Sequence, residues 1–502
     1  MSDQKNTILA IGLSLLVFLA WQYFIGAPQM EKQRQIAQEQ KQVQQSQPAA
    51  APGTAPAVGQ SGVAASEQPL SRKDALAKSK RVDIDTTSLK GSIALTGGRI
   101  DDLSFKQYHE TVDSKSPAIV LLSPSGSPEP FYAEFGWLPA SGTSAKVPGA
   151  DTTWRQEGSG SLGQNRPVTL TWNNGDGLEF RRTISVDDKY LFTIKDEVAN
   201  KGSAPVTLYP FALISRHGTP QTLGYYVLHE GLIGYLGDEH LQEWTYAKIA
   251  DKKNIQFNVT NGWLGITDKY WAAALLPDTS ARLDARFSSN TIGTTKTYQT
   301  DYKLDAQTIA PGATGSADAR LFAGAKEVAT IDSYESALQL HHFEKLIDWG
   351  WFYFITQPMF SLLDYFFRWT GNFGVAILIV TVLVKLAFFP LANKSYASMA
   401  KMKAVQPQMA AIKERYPDDR MKQQQEMMEL YKREQINPLA GCLPVVIQIP
   451  VFFSLYKVLM ISIEMRHAPF FGWIHDLSAP DPTTVFNLFG LLPFDPSMVP
   501  VV

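Results

Sequence analysis

The sequence predicts a multi-domain membrane protein, an α-helical transmembrane bundle joined to a large all-β domain outside the bilayer. Three observations predict it. Apolar runs long enough to cross hydrocarbon lie at the N-terminus and again beyond position 370, short alternating runs separated by turn residues fill the region between, and cations collect between the two later apolar runs. At 502 residues the chain exceeds any one small cooperative domain. Lys plus Arg number 46 against 48 Asp plus Glu, a net charge of -2, so no overall field favours a nucleic-acid partner. A hydrophobic fraction of 45%, a charged fraction of 19% and a mean hydropathy of -0.12 are ordinary averages over a polar part and a lipid-like part. Cys442 is the only cysteine, which excludes an intramolecular disulfide and any multi-cysteine metal site.

Residues 1–27 hold the first apolar run, Ile8 to Ile25, 18 residues without a charge. That suits an uncleaved anchor, because a cleaved signal usually has a shorter apolar stretch and a better A-x-A-like site than FIGAPQ. Residues 28–81, rich in Gln, Ala, Pro, Gly and Ser, are a flexible linker with too little apolar surface to offset the entropy of ordering. Residues 82–335 show hairpin signatures such as LEFRRTISV (178–186), DDK, then YLFTIKDEV (190–198), with Asn173 to Gly177 and Asn200-Lys201-Gly202 supplying tight turns. A soluble β-sandwich is expected there.

Residues 336–370 contain WGWFYFITQPMFSLLDYFFRW (349–369), ten aromatic residues among 21. Trp and Tyr favour the headgroup level, so an amphipathic helix lying in the interface is expected, anchored by Trp349, Trp351, Tyr353 and Trp369. A helix buried beneath the sandwich is the alternative. Second and third spans are expected at 371–391 and 439–464, with a cytoplasmic helical hairpin at 392–438 and a further external loop from 465 to 502. Positions 394–437 carry nine Lys or Arg against six acids, whereas 343–372 and 464–502 are net acidic. The positive-inside bias therefore puts the hairpin and the N-terminus in the cytoplasm and the β domain in the periplasm, despite Lys32, Arg34 and Lys41 after the first span.

Lys385 lies within the second span, and a cation in hydrocarbon normally faces a polar cavity or a partner. Snorkelling toward the end of the span at Phe389 is the simpler reading. Thr381, one turn earlier on the same face, and Gln448, Ser454, Tyr456 and Lys457 on the third span could line a wet groove with it, although each could be an isolated interhelical hydrogen bond and Lys457 could snorkel to the outer surface. The hairpin reads as helices near 394–415 and 419–436, broken at Tyr416-Pro417-Asp418-Asp419. Its six methionines, Met399, Met402, Met409, Met421, Met427 and Met428, form either an adaptable contact surface for clients and partners or the hairpin's own seam. The histidines lack ligand spacing, and no phosphate loop, G-x-S-x-G elbow or H-E-x-x-H is present, so neither an enzyme, a metal nor a cofactor is expected; His217, His229 and Glu230 read as structural.

The segment MAKMKAVQPQMAAIKERYPDDRMKQQQEMMELYKREQINPLAGCLPVVIQIPVFFSLYKVLM (399–460) closely resembles the YidC membrane protein insertases of Gram-negative bacteria. The likeness continues through Glu464-Met465-Arg466 and APFFGWIHDLSAPDP (468–482), covering about 340–490 densely, and extends loosely to GGRIDDLSFKQY (97–108). It implies a periplasmic β-supersandwich of the galactose-mutarotase type and a hydrophilic groove open to cytoplasm and lipid, with Lys385 at a position where relatives often carry Arg. It implies insertion of nascent membrane proteins into the inner membrane, alone or with the Sec translocon, and partners at the cytoplasmic face such as the ribosome or targeting machinery. The family has two further spans and a basic tail, so the chain is expected to be a fragment or a shortened homologue. The rival readings are a membrane-anchored periplasmic carbohydrate-binding or mutarotase-like protein, and a transporter or sensor, which the absence of Asp and Glu from the apolar stretches Phe373 to Phe389 and Leu443 to Ile463 disfavours.

Overall fold

The computed structural model describes residues 70–143, 145–222, 227–417, 419–434, 443–472 and 474–479. The expected N-terminal anchor, residues 28–69 of the linker and everything from 480 onward lie outside the described residues, while the last part of the expected flexible linker is ordered, with a short helix at Arg72–Ala77 and a strand beginning at Arg81. Alternation of apolar and polar residues from 81 to 325 folds as two antiparallel sheets, one of ten strands and one of nine, packed face to face as an all-β supersandwich. The strand Arg81–Asp85 edges the first sheet and Leu241–Thr245 edges the second.

The hairpins follow local chemistry. Leu178–Val186 and Leu191–Asn200 pair antiparallel with strict in-out alternation. In the turn before them, Asn174 Oδ1 accepts the N–H groups of Asp176 and Leu178 at 2.7 and 2.9 Å, and Gly175 and Gly177 take positive φ. The sheets are tied through one side chain. Arg182, 1% exposed, donates Nε and Nη2 to Asp196 at 2.7 Å each, Nη2 to the Phe135 carbonyl at 2.6 Å and Nη1 to the Gly98 carbonyl at 3.1 Å, beneath the Trp154 ring. Arg182 and Asp196 belong to the nine-stranded sheet and Phe135 to the ten-stranded one, so the planar fork bridges the sandwich.

Short helices α1 (Arg72–Ala77) and α2 (Tyr246–Lys252) sit on the sandwich, and α3 (Val328–Leu338) leads out of it. The core continues beyond the sheets through edge-to-face contacts of Phe343 with Trp263 and Phe322, at 5.3 and 5.7 Å between centroids. The aromatic segment forms α4 (Tyr353–Thr370), followed by α5 (Phe373–Ala404), α6 (Gln406–Arg415), α7 (Arg420–Arg433) and α8 (Leu443–Ile461). Among the described residues, α5 and 444–461 of α8 are long and apolar enough to cross a membrane.

The second span and the first hairpin helix, expected at 371–391 and near 394–415, are divided elsewhere, since one helix covers the span and the first part of the hairpin. α5 runs through Pro390 to Ala404, carried by the helix formers of LANKSYASMAKMKA, and the chain turns only at Val405. Pro407 lacks the amide that would bond to the carbonyl of Lys403, and it takes a place in the first turn of α6 instead. The hairpin closes on Val405 and Leu430, 5% and 3% exposed, with Met402, Met409, Ile412 and Tyr431 around them. Its six methionines therefore divide: Met402 and Met409 belong to the seam, Met427 is half-buried, and Met399, Met421 and Met428 face outward.

Candidate functional site

An apolar helix with a cation in it has few places to put the charge. Lys385 lies four residues after Thr381, on one face of α5, and is exposed on the helix surface. Its Nζ stands 5.3 Å from the centre of the Phe452 ring on α8, where a ring face attracts a cation. Gln448, Phe452 and Tyr456 follow at four-residue steps along α8, so they form one stripe meeting the Lys385 face. Thr381 Oγ1 donates to its own helix at the Ile377 carbonyl, 2.7 Å, leaving the oxygen lone pairs to accept. Gln448 is half-buried and Tyr456 is 49% exposed. Around them Leu378, Val382, Leu386, Val445 and Ile449 are outward and apolar, a surface suited to lipid rather than water.

Two residues grouped with this stripe by sequence stand elsewhere. Ser454 is fully buried, six residues on from Gln448 and hence on another side of α8, with no hydrogen-bond partner for its hydroxyl among the described residues. Lys457, 1% exposed along its side chain, does not snorkel: it pairs with Asp348 at 2.8 Å and donates to the Val227 carbonyl. The reason is a ready-made acceptor. Asp348 Oδ2 also accepts the His229 amide at 2.8 Å, and Oδ1 the Gly350 amide at 3.1 Å. Gly350 has φ of +75°, a conformation that favours glycine, and a Cβ there would lie 3.2 Å from Lys457 Cε, a tight contact against the ion pair.

Two further contacts fasten the end of α8 to the β domain. Glu464 Oε1 accepts the Val328 amide at 2.8 Å, placing a carboxylate at the N-terminus of α3. Arg466 donates Nη2 to the His109 carbonyl at 2.6 Å, with its guanidinium 5.3 Å over Trp271. Sequence reasoning missed this junction. The available signal was a lysine late in an apolar span together with an aspartate at the entry to the aromatic segment.

Of the four aromatic anchors expected, Trp351, Tyr353 and Trp369 are 62%, 55% and 75% exposed. Trp349 is 5% exposed and turns inward, its indole N–H donating to the Glu344 carbonyl at 3.0 Å and its ring packing on Phe360. Beside them a cavity of about 820 Å³ opens between the edge strand Leu241–Thr245, α2, the start of α4 and α8. The histidines take structural places: burial, with Arg99 nearby, lowers His217 to about 4, and burial lowers His229 likewise to about 4. Among the described residues no cluster of His, Cys, Asp and Glu could hold a metal ion.

Comparison with known proteins gives two family matches, the YidC periplasmic domain over residues 81–362 and the 60Kd inner membrane protein family over 365–500. The chain is 64% identical to membrane protein insertase YidC of Bradyrhizobium diazoefficiens, over 100% of its own length and 84% of that protein's. It is 64% identical to the protein so named in Nitrobacter hamburgensis, over 100% and 83%, and 53% identical to that of Rhizobium meliloti, over 99% and 83%. Among solved structures, a galactose mutarotase-like protein from Lactobacillus casei matches 49% of this chain and 100% of its own at 12% identity, with a TM-score of 0.32.

Proposed function

The chain belongs to the YidC family of membrane protein insertases, and on that premise we propose that the stripe around Lys385 is where it receives polar segments of its clients. It is an inner-membrane protein whose work is insertion of nascent membrane proteins. The observation that carries the reading is the pairing of Lys385, the cation within the apolar stretch 373–389 of α5, with the Gln448, Phe452 and Tyr456 stripe of α8, amid outward apolar residues.

The physical task is to avoid desolvation. A carboxylate or peptide group moved into hydrocarbon without a partner costs several kcal/mol, roughly 2–7 for an amide. Lys385 attracts acids in the translocating stretch, and Thr381 and Gln448 hold water against the hydrocarbon so that the segment never becomes fully dry. No bond is made or broken, so the activity is non-catalytic. Met399, Met421 and Met428, outward on the hairpin region, supply a soft first contact for varied apolar clients, while Trp351, Tyr353 and Trp369 seat α4 at the outer headgroups. Ser454 contributes through the packing of α8. The charge distribution supports a cytoplasmic hairpin and a periplasmic β domain. In that orientation the hairpin is placed to meet the ribosome or targeting machinery, and the Sec translocon is the partner proposed within the membrane.

Replacement of Lys385 by alanine in the full chain is expected to slow insertion of clients with acidic translocated tails by about tenfold and of uncharged clients much less. A translation-coupled insertion assay with paired acidic and neutralised tails reads the difference. Unchanged insertion of both would show that Lys385 merely snorkels, and photocrosslinkers at Thr381 and Gln448 should capture the same tails.

A further inference from the structure

The face of α5 that carries Lys385 changes character along its length. Thr381 and Lys385 each lie within about 20° of Gly374 around the helix axis, at 3.6 residues per turn, so the three share one face. Gly374 is buried, Thr381 half-buried and Lys385 exposed, so the face is covered at the end away from the hairpin and opens toward it. The cover is Phe470, on the loop that follows α8. A Cβ at Gly374 would overlap the Phe470 ring, which therefore lies directly on the helix backbone. The loop is built to hold that ring. Asn372 Nδ2 donates to the Phe470 carbonyl at 3.2 Å, while its Oδ1 caps α5 by accepting the Val375 amide at 3.1 Å. The Phe470 amide donates to the Ile474 carbonyl at 3.0 Å, and Asp476 Oδ1 accepts the amides of His467 and Ser478 at 3.2 and 2.7 Å. Both backbone groups of Phe470 are thus used, one of them by the capping residue of α5 itself. Phe471, its ring centre 4.8 Å from that of Phe470, is 61% exposed.

We propose that Phe470 is the seal of the client path: its ring on Gly374 closes the Thr381 and Lys385 face to water from the β-domain side and leaves it open toward the hairpin. The proposal rests on the reading of that face as the client stripe. With no side chain at 374, ring and backbone meet without a gap for water, and the ring brings no polar atom that could hold one. Thr381 lies about 10 Å along the axis from the contact and Lys385 about 16 Å, so an acidic tail entering from the hairpin end meets the cation first and the seal last. The ring sits on a loop, whereas α5 is held to α4 separately by Phe373 stacked on Phe367, centroids 3.7 Å apart. A translocating segment can therefore lift Phe470 without parting those helices.

The test uses the full chain with Cys442→Ser and Thr381→Cys in native membranes, a membrane-impermeant maleimide being added to the hairpin face or to the β-domain face in separate reactions. From the β-domain face, Thr381→Cys is expected to stay unlabelled while Phe470 is present and to label at least about tenfold faster with Phe470→Ala, because a thiol reacts only where water admits its thiolate. Gly374→Ala, which pushes the ring off from the α5 side, should open the same route with Phe470 itself intact. Phe470→Tyr, which keeps the ring, and Phe471→Ala, which removes the exposed neighbour, should leave it closed. Labelling from the hairpin face should be equal in all of these chains. If it is, and the β-domain face stays closed in both Phe470→Ala and Gly374→Ala, is already open with Phe470 in place, or opens as much with Phe471→Ala, the seal is overturned and the client stripe stands. Absence of labelling from the hairpin face with Phe470 in place would contradict the wet stripe, and the seal with it.

Discussion

Asp348→Ala is expected to destabilise the junction between the β domain and the membrane helices by about 3–5 kcal/mol, more than Lys457→Met does at the other end of the same ion pair. The asymmetry follows from what each change leaves behind. Without Asp348, the Lys457 ammonium stays in a site where the side chain is 1% exposed, with the Val227 carbonyl as its remaining partner. Without Lys457, Asp348 keeps two backbone amides, from His229 and Gly350. The double replacement Asp348→Ala with Lys457→Met removes both charges and should be milder than Asp348→Ala alone, giving a coupling energy of about 1–3 kcal/mol in a double-mutant cycle. Denaturant midpoints of the full chain in detergent measure all four corners. If Asp348→Ala and Lys457→Met cost the same and add, the pair is not a buried lock.

Arg182→Ala should be of comparable size, about 3–5 kcal/mol, and confined to the sandwich. Its loss strands the Asp196 carboxylate, 7% exposed, and takes a donor from each of the Phe135 and Gly98 carbonyls, so three acceptors lose partners at once. Arg182→Lys should recover little, because an ammonium cannot reproduce the two parallel bonds to Asp196 while also reaching Phe135 and Gly98. Tryptophan fluorescence is a suitable probe, since Trp154 lies 5.0 Å from the guanidinium. A shift within about 0.5 kcal/mol, the range of ordinary surface substitutions, would mean that the bridge is not holding the sheets together.

The local layer of this structure is written plainly in the chain. Alternation in LEFRRTISV becomes the strand Leu178–Val186, the Asn-Asn-Gly-Asp-Gly run becomes its turn, and the apolar runs that begin near 373 and 443 become α5 and α8. The partners of charges are not written there. Lys457 and Asp348 are far apart in sequence, and hydropathy places a late-span lysine at the surface unless its acceptor is known. Trp349 and Trp351 have the same residue type two positions apart, yet one bonds inward to Glu344 and the other faces out, a difference set by the backbone turn at Gly350. The same holds for the methionines, which share a composition signal but divide between the Val405–Leu430 seam and the surface. Within the candidate groove, four-residue spacing on α8 selects Gln448, Phe452 and Tyr456 together, whereas Ser454 falls off that stripe by helical geometry alone.

The account rests on water reaching Lys385 between α5 and α8. The most direct measurement introduces Thr381→Cys, Gln448→Cys, Leu378→Cys and Met421→Cys one at a time in a Cys442→Ser chain held in native membranes, and times labelling by a membrane-impermeant maleimide added at the hairpin face. Thr381→Cys and Gln448→Cys are predicted to label within about tenfold of the exposed hairpin position Met421→Cys, while the outward apolar position Leu378→Cys stays unlabelled. Protection of Thr381→Cys and Gln448→Cys equal to that of Leu378→Cys would contradict it, and would leave Lys385 as a side chain that reaches for the headgroups from a dry bundle.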